Sequence, residues 1–584
     1  MTFVIVAGLI VGGVGVTLLL CRLAKVGRFL TIAVLVSYGL RVGLAIGLYL
    51  ISAYQFPVFQ GLQLGDGFWR FARDAPGYHW NAAQIAEAFR RGTEIPPLMV
   101  AGQHFPVDPD FYLLIASVYR LLGAHPLYIP LLNATLWSGI SISAYLLARR
   151  MKGEEAARLA GLLVSFWPSP YIWSSQILKD TVVVFLVISG LSLCVLILRQ
   201  RAPLWLAAIV PLVPVSFLLA RLRFYALLIV VLAVGIEVVA SLVRSSPHRQ
   251  WGTAVRGLVL MGVLLTISVG ARSVDYDVLL SRADPDMSRL RKAEYLLAQG
   301  DHAAATGEYQ HALALHQRLA EARLRIRKES PPPEAKPAAV SPPESKPSPG
   351  PPPEAKPSEP PFSPAQISTD NLRKAEHLWA QAAKEQQGAP AVIPQASVEV
   401  SKGLRGLFQM FSLNQLTSVR HGYGGAGGAS NVGADIEING FWDMVAYVPR
   451  AFANALFAPF PWDWFSTKGD TGVFKLLSGI EVMLLIALTP FLLVGVVRAA
   501  RSGFKEDTWL LLGFVAVAAV LLGLTITNIG ILFRLRLQFL IPLFVVLAAY
   551  GADNLRRAVD RLLPRRLLRR PGQSTLQGLS REGP

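Results

Sequence analysis

The amino-acid sequence predicts an all-α polytopic membrane protein, and three observations carry that prediction. Hydrophobic residues fill 53% of the 584 positions and charged residues only 16%, a balance outside that of ordinary soluble domains. Apolar stretches near the roughly 20 residues a helix needs to cross a hydrocarbon core recur along the chain. Basic residues collect in every second loop between those stretches, the pattern that marks cytoplasmic loops.

Taken in order, eleven stretches qualify as spans: 2–21, 29–51, 126–148, 156–175, 181–198, 203–220, 224–243, 255–271, 474–497, 508–527 and 531–552. The first has no basic residue before it and no small-residue cleavage site after it, and Arg22, Lys25 and Arg28 follow. It reads as a retained anchor rather than a signal peptide. Arg149, Arg150, Lys152 and Arg158 follow the third span, and Arg199 and Arg201 the fifth. Arg244, Arg249 and Arg256 follow the seventh, Arg498, Arg501 and Lys505 the ninth, and a basic tail runs from Arg556 to Arg570. With the N-terminus outside and the C-terminus inside, all of these loops are cytoplasmic.

The net charge of +18 is therefore spent on membrane anchoring, and no nucleic-acid partner is expected. Cys21 and Cys194 fall in or at the end of spans, so neither a disulfide framework nor a cysteine metal site is expected.

The other loops face outward and hold the less routine residues. Asp66, Asp74, Asp108 and Asp110 precede the third span, Lys179 and Asp180 the fifth, and Arg221 and Arg223 the seventh, while Arg534 and Arg536 open the last. An ionised side chain beside hydrocarbon is costly, so a group of them lines a wet cavity or binds a charged ligand. Interfacial snorkelling is the plainer use of the arginines. His79, His104, Asp108 and Asp110 are potential donors to a divalent metal such as Mg or Mn, but they lack the spacing of a ligand set, and no cofactor is assigned.

These features divide the chain into an N-terminal membrane domain, 1–283, whose outer loop 52–125 carries the candidate site, an insert at 284–400, an outer loop at 401–471, C-terminal membrane helices at 472–555 and a basic tail at 556–584. The insert contains PPPEAKP at 331–337 and again at 351–357, too polar and proline-rich to pack a core, and is expected to be a disordered tether. On its flanks LRKAEYLLAQGD (290–301) and LRKAEHLWAQAA (372–383) are copies of one helical segment. The first resembles a single tetratricopeptide unit, which cannot bury its own face without stacked neighbours. A surface insertion is expected, with partner docking as the alternative. GYGGAGG at 422–428 has the letters of a dinucleotide fingerprint without its strand and helix, and reads as a loop.

Three segments resemble the bacterial members of the GT-C glycosyltransferase superfamily, the family-39-like or protein-mannosyltransferase-like membrane enzymes. DAPGYHWNAAQIAEAF, from Asp74 to Phe89, is similar to the family's Asp, the Tyr four residues on and the alanine-rich helix after them. Residues Pro130 to Val187 resemble two helices leading to a second outer loop with an acid, although Lys179 and Asp180 stand where many relatives have a Glu. RLRLQFLIPLFVVLAAYG, from Arg534 to Gly551, is similar to the last helix of such enzymes. The resemblance covers roughly half the chain, and the insert has no counterpart in it.

The resemblance implies a GT-C-like fold in the bacterial inner membrane with its active site on the periplasmic face. It implies transfer of a sugar from a polyprenyl-phosphate donor to a cell-envelope acceptor, whether glycan, lipid or protein. Such a transfer needs a carboxylate to take the acceptor's hydroxyl proton and cations to stabilise the departing phosphate. Asp74 is the expected base, with Asp66 and Asp180 as alternative acids, and Lys179, Arg221, Arg223, Arg534 and Arg536 are the expected phosphate ligands. Residues two apart do not share a helix face, so one arginine of each pair is expected to reach the lipid. Tyr78 and His79 are placed on the acceptor side. Asp74 has a competing use as a first-turn helix acid, Asp66 as a turn residue between glycines, and Asp180 as a helix N-terminal acid. A lipid-linked glycan polymerase or ligase, and a transporter or flippase, are the competing functions. The transporter reading is disfavoured because the polar residues identified sit at span ends rather than at the midplane.

Overall fold

Inside a bilayer no water satisfies backbone N–H and C=O groups, so long apolar runs have to close their hydrogen bonds internally as helices. The computed structural model describes residues 2–91, 109–200, 204–243, 247–273, 416–421, 431–433, 436–464, 472–501 and 506–562. All of these except Arg91 belong to one unit, made of Met1–Arg90, Met99–Val274 and Gly403–Pro584; Arg91–Leu98 and Asp275–Lys402 form a second. The tether, the duplicated segment with its tetratricopeptide-like unit, the GYGGAGG loop, His104, Asp108 and the tail beyond 562 lie outside the described residues.

The described residues of the first unit are mostly helical. In chain order its helices are α1 (Thr2–Leu23), α2 (Arg28–Ala53), α3 (Asp74–Arg91), α4 (Pro109–Leu122), α5 (Tyr128–Lys152), α6 (Glu154–Phe166), α7 (Ser169–Ser174), α8 (Asp180–Arg199), α9 (Leu204–Val243) and α10 (Pro247–Ser273). They continue with α11 (Phe441–Phe457), α12 (Gly472–Arg501), α13 (Glu506–Thr525), α14 (Ile529–Leu535) and α15 (Leu537–Leu562). Among the described residues nine helices are long and apolar enough to cross a membrane: α1, α2, α5, α8, α9, α10, α12, α13 and α15. The chain is an all-α, multi-pass membrane protein.

Three of the eleven expected stretches take a different form: 203–220 and 224–243 are joined in α9, and 156–175 is broken. At 40 residues α9 would be about 60 Å long if straight, roughly twice the hydrocarbon thickness. Its backbone leaves helical geometry at Arg223, with φ −153° and ψ 76°, and there the chain turns back. Arg221 donates to the Ala271 carbonyl near the end of α10. Val238, 17 residues on, lies instead against Gly257 near the start of α10 and beside Leu198 of α8. The stretch 156–175 is a broken helix: α6 stops after 13 residues, the chain bends through Trp167 and Pro168, and α7 adds six more.

A break inside an apolar layer strands backbone groups, and both ends of this one are capped. The Ser165 carbonyl, at the end of α6, accepts from Ser37 Oγ (2.7 Å), Arg41 Nη2 (3.0 Å) and Tyr171 Oη (3.1 Å). Trp137 Nε1 donates to the neighbouring Val164 carbonyl at 3.0 Å. At the start of α7 the Ser169 N–H donates to Glu481 Oε2 of α12 at 3.0 Å. A cation thus meets a helix C-terminus and an anion a helix N-terminus, as the backbone dipoles require. Arg41 lies midway along α2, only 1% exposed, with its guanidinium over the Tyr171 and Trp137 rings. The expectation that polar residues sit only at span ends is corrected by Arg41 and Glu481.

The loop end of α2 carries a small hairpin. Strands β1 (Gln63–Gly65) and β2 (Phe68–Trp69) pair antiparallel around Asp66 and Gly67, both of which have positive φ, the pattern of the twist-matched two-residue Asp-Gly turn. A Cβ on Gly67 would run into the Tyr49 ring. Ser52 Oγ donates to the Phe68 carbonyl at 2.6 Å, and Trp69 Nε1 donates to the Leu48 carbonyl at 3.0 Å. The hairpin is thereby fixed on the end of α2, and the chain leaves it through a 3-10 turn, Arg70–Ala72, into α3.

Candidate active site

Asp74 is the first residue of α3, and its Oδ2 accepts from Arg534 Nη1 at 3.0 Å. The same arginine places Nε 3.1 Å from Asp180 Oδ2. That N–H is not aimed at the oxygen, so the contact is an ion pair while both atoms stay without a hydrogen bond. Asp180 Oδ1 accepts from Arg223 Nη2 at 3.3 Å. The row Asp74, Arg534, Asp180, Arg223 therefore joins α3, α14, α8 and the reversal of α9, drawing on residues hundreds of positions apart.

Exposure grades along this row. The Asp74 side chain is 48% exposed, Arg534 16% and Asp180 3%. Asp74 can meet an incoming group, while Asp180 is enclosed between guanidinium groups and organises them. Lys179, buried in the bend before α8, borders the same charges. Burial, then the nearby Arg223, lower its pKa to about 7, against the opposing pull of Asp180. Tyr78 is one turn after Asp74 on the same helix face and is held edge-on by Phe111 with centroids 4.8 Å apart. Burial and the Asp74 charge push its phenol upward, so it stays protonated and able to donate.

The remaining sequence candidates are placed elsewhere. Arg221 donates from Nε to Asp110 Oδ1 at 2.9 Å, a separate pair that ties α4 to α9. Arg536 is fully buried and donates to the carbonyls of Leu456, at 3.1 Å, and Ala458, capping the end of α11. It is not in the row, and its expected contact with phosphate gives way to this structural use. One arginine of each pair, Arg223 and Arg534, joins the cluster. His79 turns away from Asp74: its Nδ1 is 2.8 Å from Tyr119 Oη and its ring rests against Phe68 and Trp80. Burial drives its pKa down to about 4, which makes it a neutral packing residue. Asp66 is the hairpin turn described above, and Asp180 does open α8 as a first-turn acid while also bridging the arginines.

Among the described residues no three His, Cys, Asp or Glu side chains come together, and Asp74 and Asp180 each already face a guanidinium. Carboxylates so neutralised are poor ligands for Mg or Mn, whereas the guanidinium and ammonium groups around them suit an anion. The fold sets this arrangement through a chain of local devices. Asn528 Oδ1 accepts from the Ile531 N–H at 3.2 Å and starts α14, and Val432 N–H donates to the Thr527 carbonyl at 2.8 Å just before it. Arg420 holds the same connection, donating to the Leu524 carbonyl at 3.0 Å. Arg41, Arg420 and Glu481 were not among the sequence candidates. Arg41 and Glu481 are detectable as lone charges inside apolar runs, LRVG and IEVM. No protein-family model matches the chain, and no curated protein matches it at significance.

Proposed function

We propose that the chain is a glycosyltransferase of the bacterial inner membrane that moves a sugar from a polyprenyl-phosphate donor to a cell-envelope acceptor on the periplasmic face. The observation that carries this reading is the row Asp74–Arg534–Asp180–Arg223. It puts one accessible carboxylate beside buried cations at one end of a helical bundle, opposite the basic loop end. Counting both halves of α9 and the broken α6–α7 pair, the chain crosses the membrane eleven times, with the N-terminus and the row outside. Asp74 accepts the acceptor's hydroxyl proton as that oxygen bonds to the anomeric carbon. The bond from that carbon to the phosphate oxygen breaks on the opposite side, inverting the centre. The charge left on the lipid phosphate is taken up by Arg534, Arg223 and Lys179. Tyr78 borders the acceptor side.

The test is transfer of labelled sugar from a polyprenyl phosphate in reconstituted vesicles. Asp74→Asn keeps size and loses basicity, so turnover falls by roughly 10²–10⁴ with donor binding little changed. Near-normal transfer by a folded Asp74→Asn protein rules Asp74 out as the base. A glycan polymerase or ligase would use the same carrier lipid and is separated by product length.

One observation favours a transporter or flippase as a second reading: the broken α6–α7 span with Arg41 and Glu481 at the two sides of its break, a feature that transporters use at the midplane. Arg41→Met leaves Ser37 and Tyr171 to satisfy Ser165, so the fold survives. Loss of lipid translocation together with unchanged sugar transfer would assign Arg41 to transport.

A further inference from the structure

Helix α11 is not one of the nine described helices fit to cross a membrane, and before its last turn its surface divides into three arcs. At about 100° per residue, Tyr447, Ala451, Asn454 and Ala455 share one arc, and all four are buried. Tyr447 and Ala451 pack there with Leu524 of α13. Phe441, Val445, Val448 and Phe452 share the next arc, with Trp442 at its edge. Phe441 is 60% exposed, Trp442 77% and Val445 42%. Asp443, Ala446 and Arg450, all exposed, occupy the third.

No single solvent suits that surface. In water, the second arc would stand as an uncovered patch with two large aromatic rings. Upright in hydrocarbon, a helix of 17 residues would carry Arg450 near its middle, at a cost of roughly 2.5–3.5 kcal/mol. A helix lying along a membrane–water boundary satisfies all three arcs at once. The chain after α11 leads onto a surface of the same kind. Trp462 is 75% exposed and stacks on Phe460 with centroids 4.9 Å apart. Trp464 then lies against Gly479 of α12, next to Ile480, Met483 and Leu484, the exposed flank of a crossing helix.

We propose that α11 is an in-plane interfacial helix, with the arc of Phe441, Val445 and Phe452 immersed among the outermost acyl carbons of the bilayer and the arc of Asp443 and Arg450 facing water. Trp442, at the edge of the apolar arc, places its ring in hydrocarbon and its N–H among the headgroups, the usual use of indole at that depth. Helix α14, which carries Arg534, begins at Ile529, just after α13 ends at Thr525. The seat of α11 therefore lies at the row's end of the bundle.

The experiment uses the full chain with single cysteines at positions 442, 445, 446 and 450, spin-labelled and reconstituted in vesicles of phosphatidylcholine and phosphatidylglycerol. Cys21 and Cys194 are buried, so the unaltered chain is the labelling control. Power saturation compares collisions with oxygen, which concentrates in hydrocarbon, and with a water-soluble nickel chelate. Trp442→Cys and Val445→Cys should favour oxygen over the chelate severalfold, at a depth of about 5–10 Å, while Ala446→Cys and Arg450→Cys should favour the chelate. Phe441→Cys supplies the lipid-side reading should Trp442→Cys fail to fold. Preference for the chelate at 442 and 445 means that the arc faces water. Preference for oxygen at all four positions means that α11 runs through hydrocarbon. Few collisions with either reagent at 442 and 445 mean that protein, such as a second copy of the chain, covers the arc. Any of these three results overturns the proposal.

Discussion

At the scale of single residues, Arg534 and Arg536 are separated by one leucine, and the boundary between α14 and α15 sends their side chains in different directions. Arg534 meets Asp74 and Asp180, while Arg536 caps α11 and lies within electrostatic reach of Glu481. Arg534→Ala is therefore expected to weaken donor binding by about 10- to 100-fold, the loss of a charged hydrogen bond worth ~1.5–3 kcal/mol. Arg536→Ala should leave donor affinity unchanged and cost about 1–3 kcal/mol of stability, because the buried Leu456 and Ala458 carbonyls lose their donor. Ligand titration and thermal melts on the two variants separate the roles. His79 supplies a pH test. Its folded pKa, near 4 because of burial and then the His125 charge, lies below the ordinary value of about 6.5, so as pH falls the unfolded chain binds its proton first. The stabilisation is complete above about pH 6.5 and is lost on the way down through pH 4, on the order of 3 kcal/mol. In a Tyr119→Phe background, which removes the hydroxyl partner, His79→Phe should flatten the fall in apparent Tm between about pH 7 and 4.5. An unchanged fall would show that His79 is not buried neutral.

At the scale of elements, helix packing depends on a few close approaches. Helix α11 lies on the C-terminal end of α13, and a Cβ on Gly523 would run into the backbone of Ala451. Tyr447, Ala451, Leu416, Ile438 and Leu524 form the apolar contact around it. Gly523→Leu should push α11 off, costing ~1–3 kcal/mol or more through overpacking. A lower Tm and faster tryptic cleavage at Arg450 would record the separation. The α6–α7 break makes the opposite point about elements, that a helix can stop inside the membrane when side chains replace its missing backbone partners. Composition alone makes 156–175 a plain span, since Trp167 and Pro168 are as apolar as the residues around them.

At the scale of the whole molecule, ionic contacts sort to the two ends of the bundle. Asp74, Asp180, Arg223 and Arg534 occupy one end, while Arg199–Asp507, Arg158–Glu154 and Arg556–Glu155 occupy the other. The basic loops belong to the second end, so labelling of single-cysteine variants in intact cells should reach positions 66 and 350 from outside and positions 152 and 565 only after permeabilisation. Labelling of 350 from the cytoplasmic side alone would invert the assignment of faces. Removal of 286–395 should leave a folded, monodisperse membrane core with an unchanged Tm; loss of expression or stability would mean that the insert packs into it.

The sequence by itself determined the class of the protein, because apolar length is a local property that the bilayer reads directly. It also singled out Asp74, Lys179, Asp180, Arg223 and Arg534, since charge at the edge of an apolar run stands out without any knowledge of its neighbours. Only the tertiary structure decided which of those charges meet. Arg221 and Arg223 look alike in sequence, as do Arg534 and Arg536, and the turn of α9 and the α14–α15 boundary separate them. Whether Arg41 and Glu481 would be costly or stabilising was likewise open until α6 was seen to end where one places a cation and α7 to begin where the other places an anion. Side-chain partners brought together across some 300 residues depend on helix packing and not on spacing along the chain, and for that reason the site was legible as a set of residues before it was legible as an arrangement.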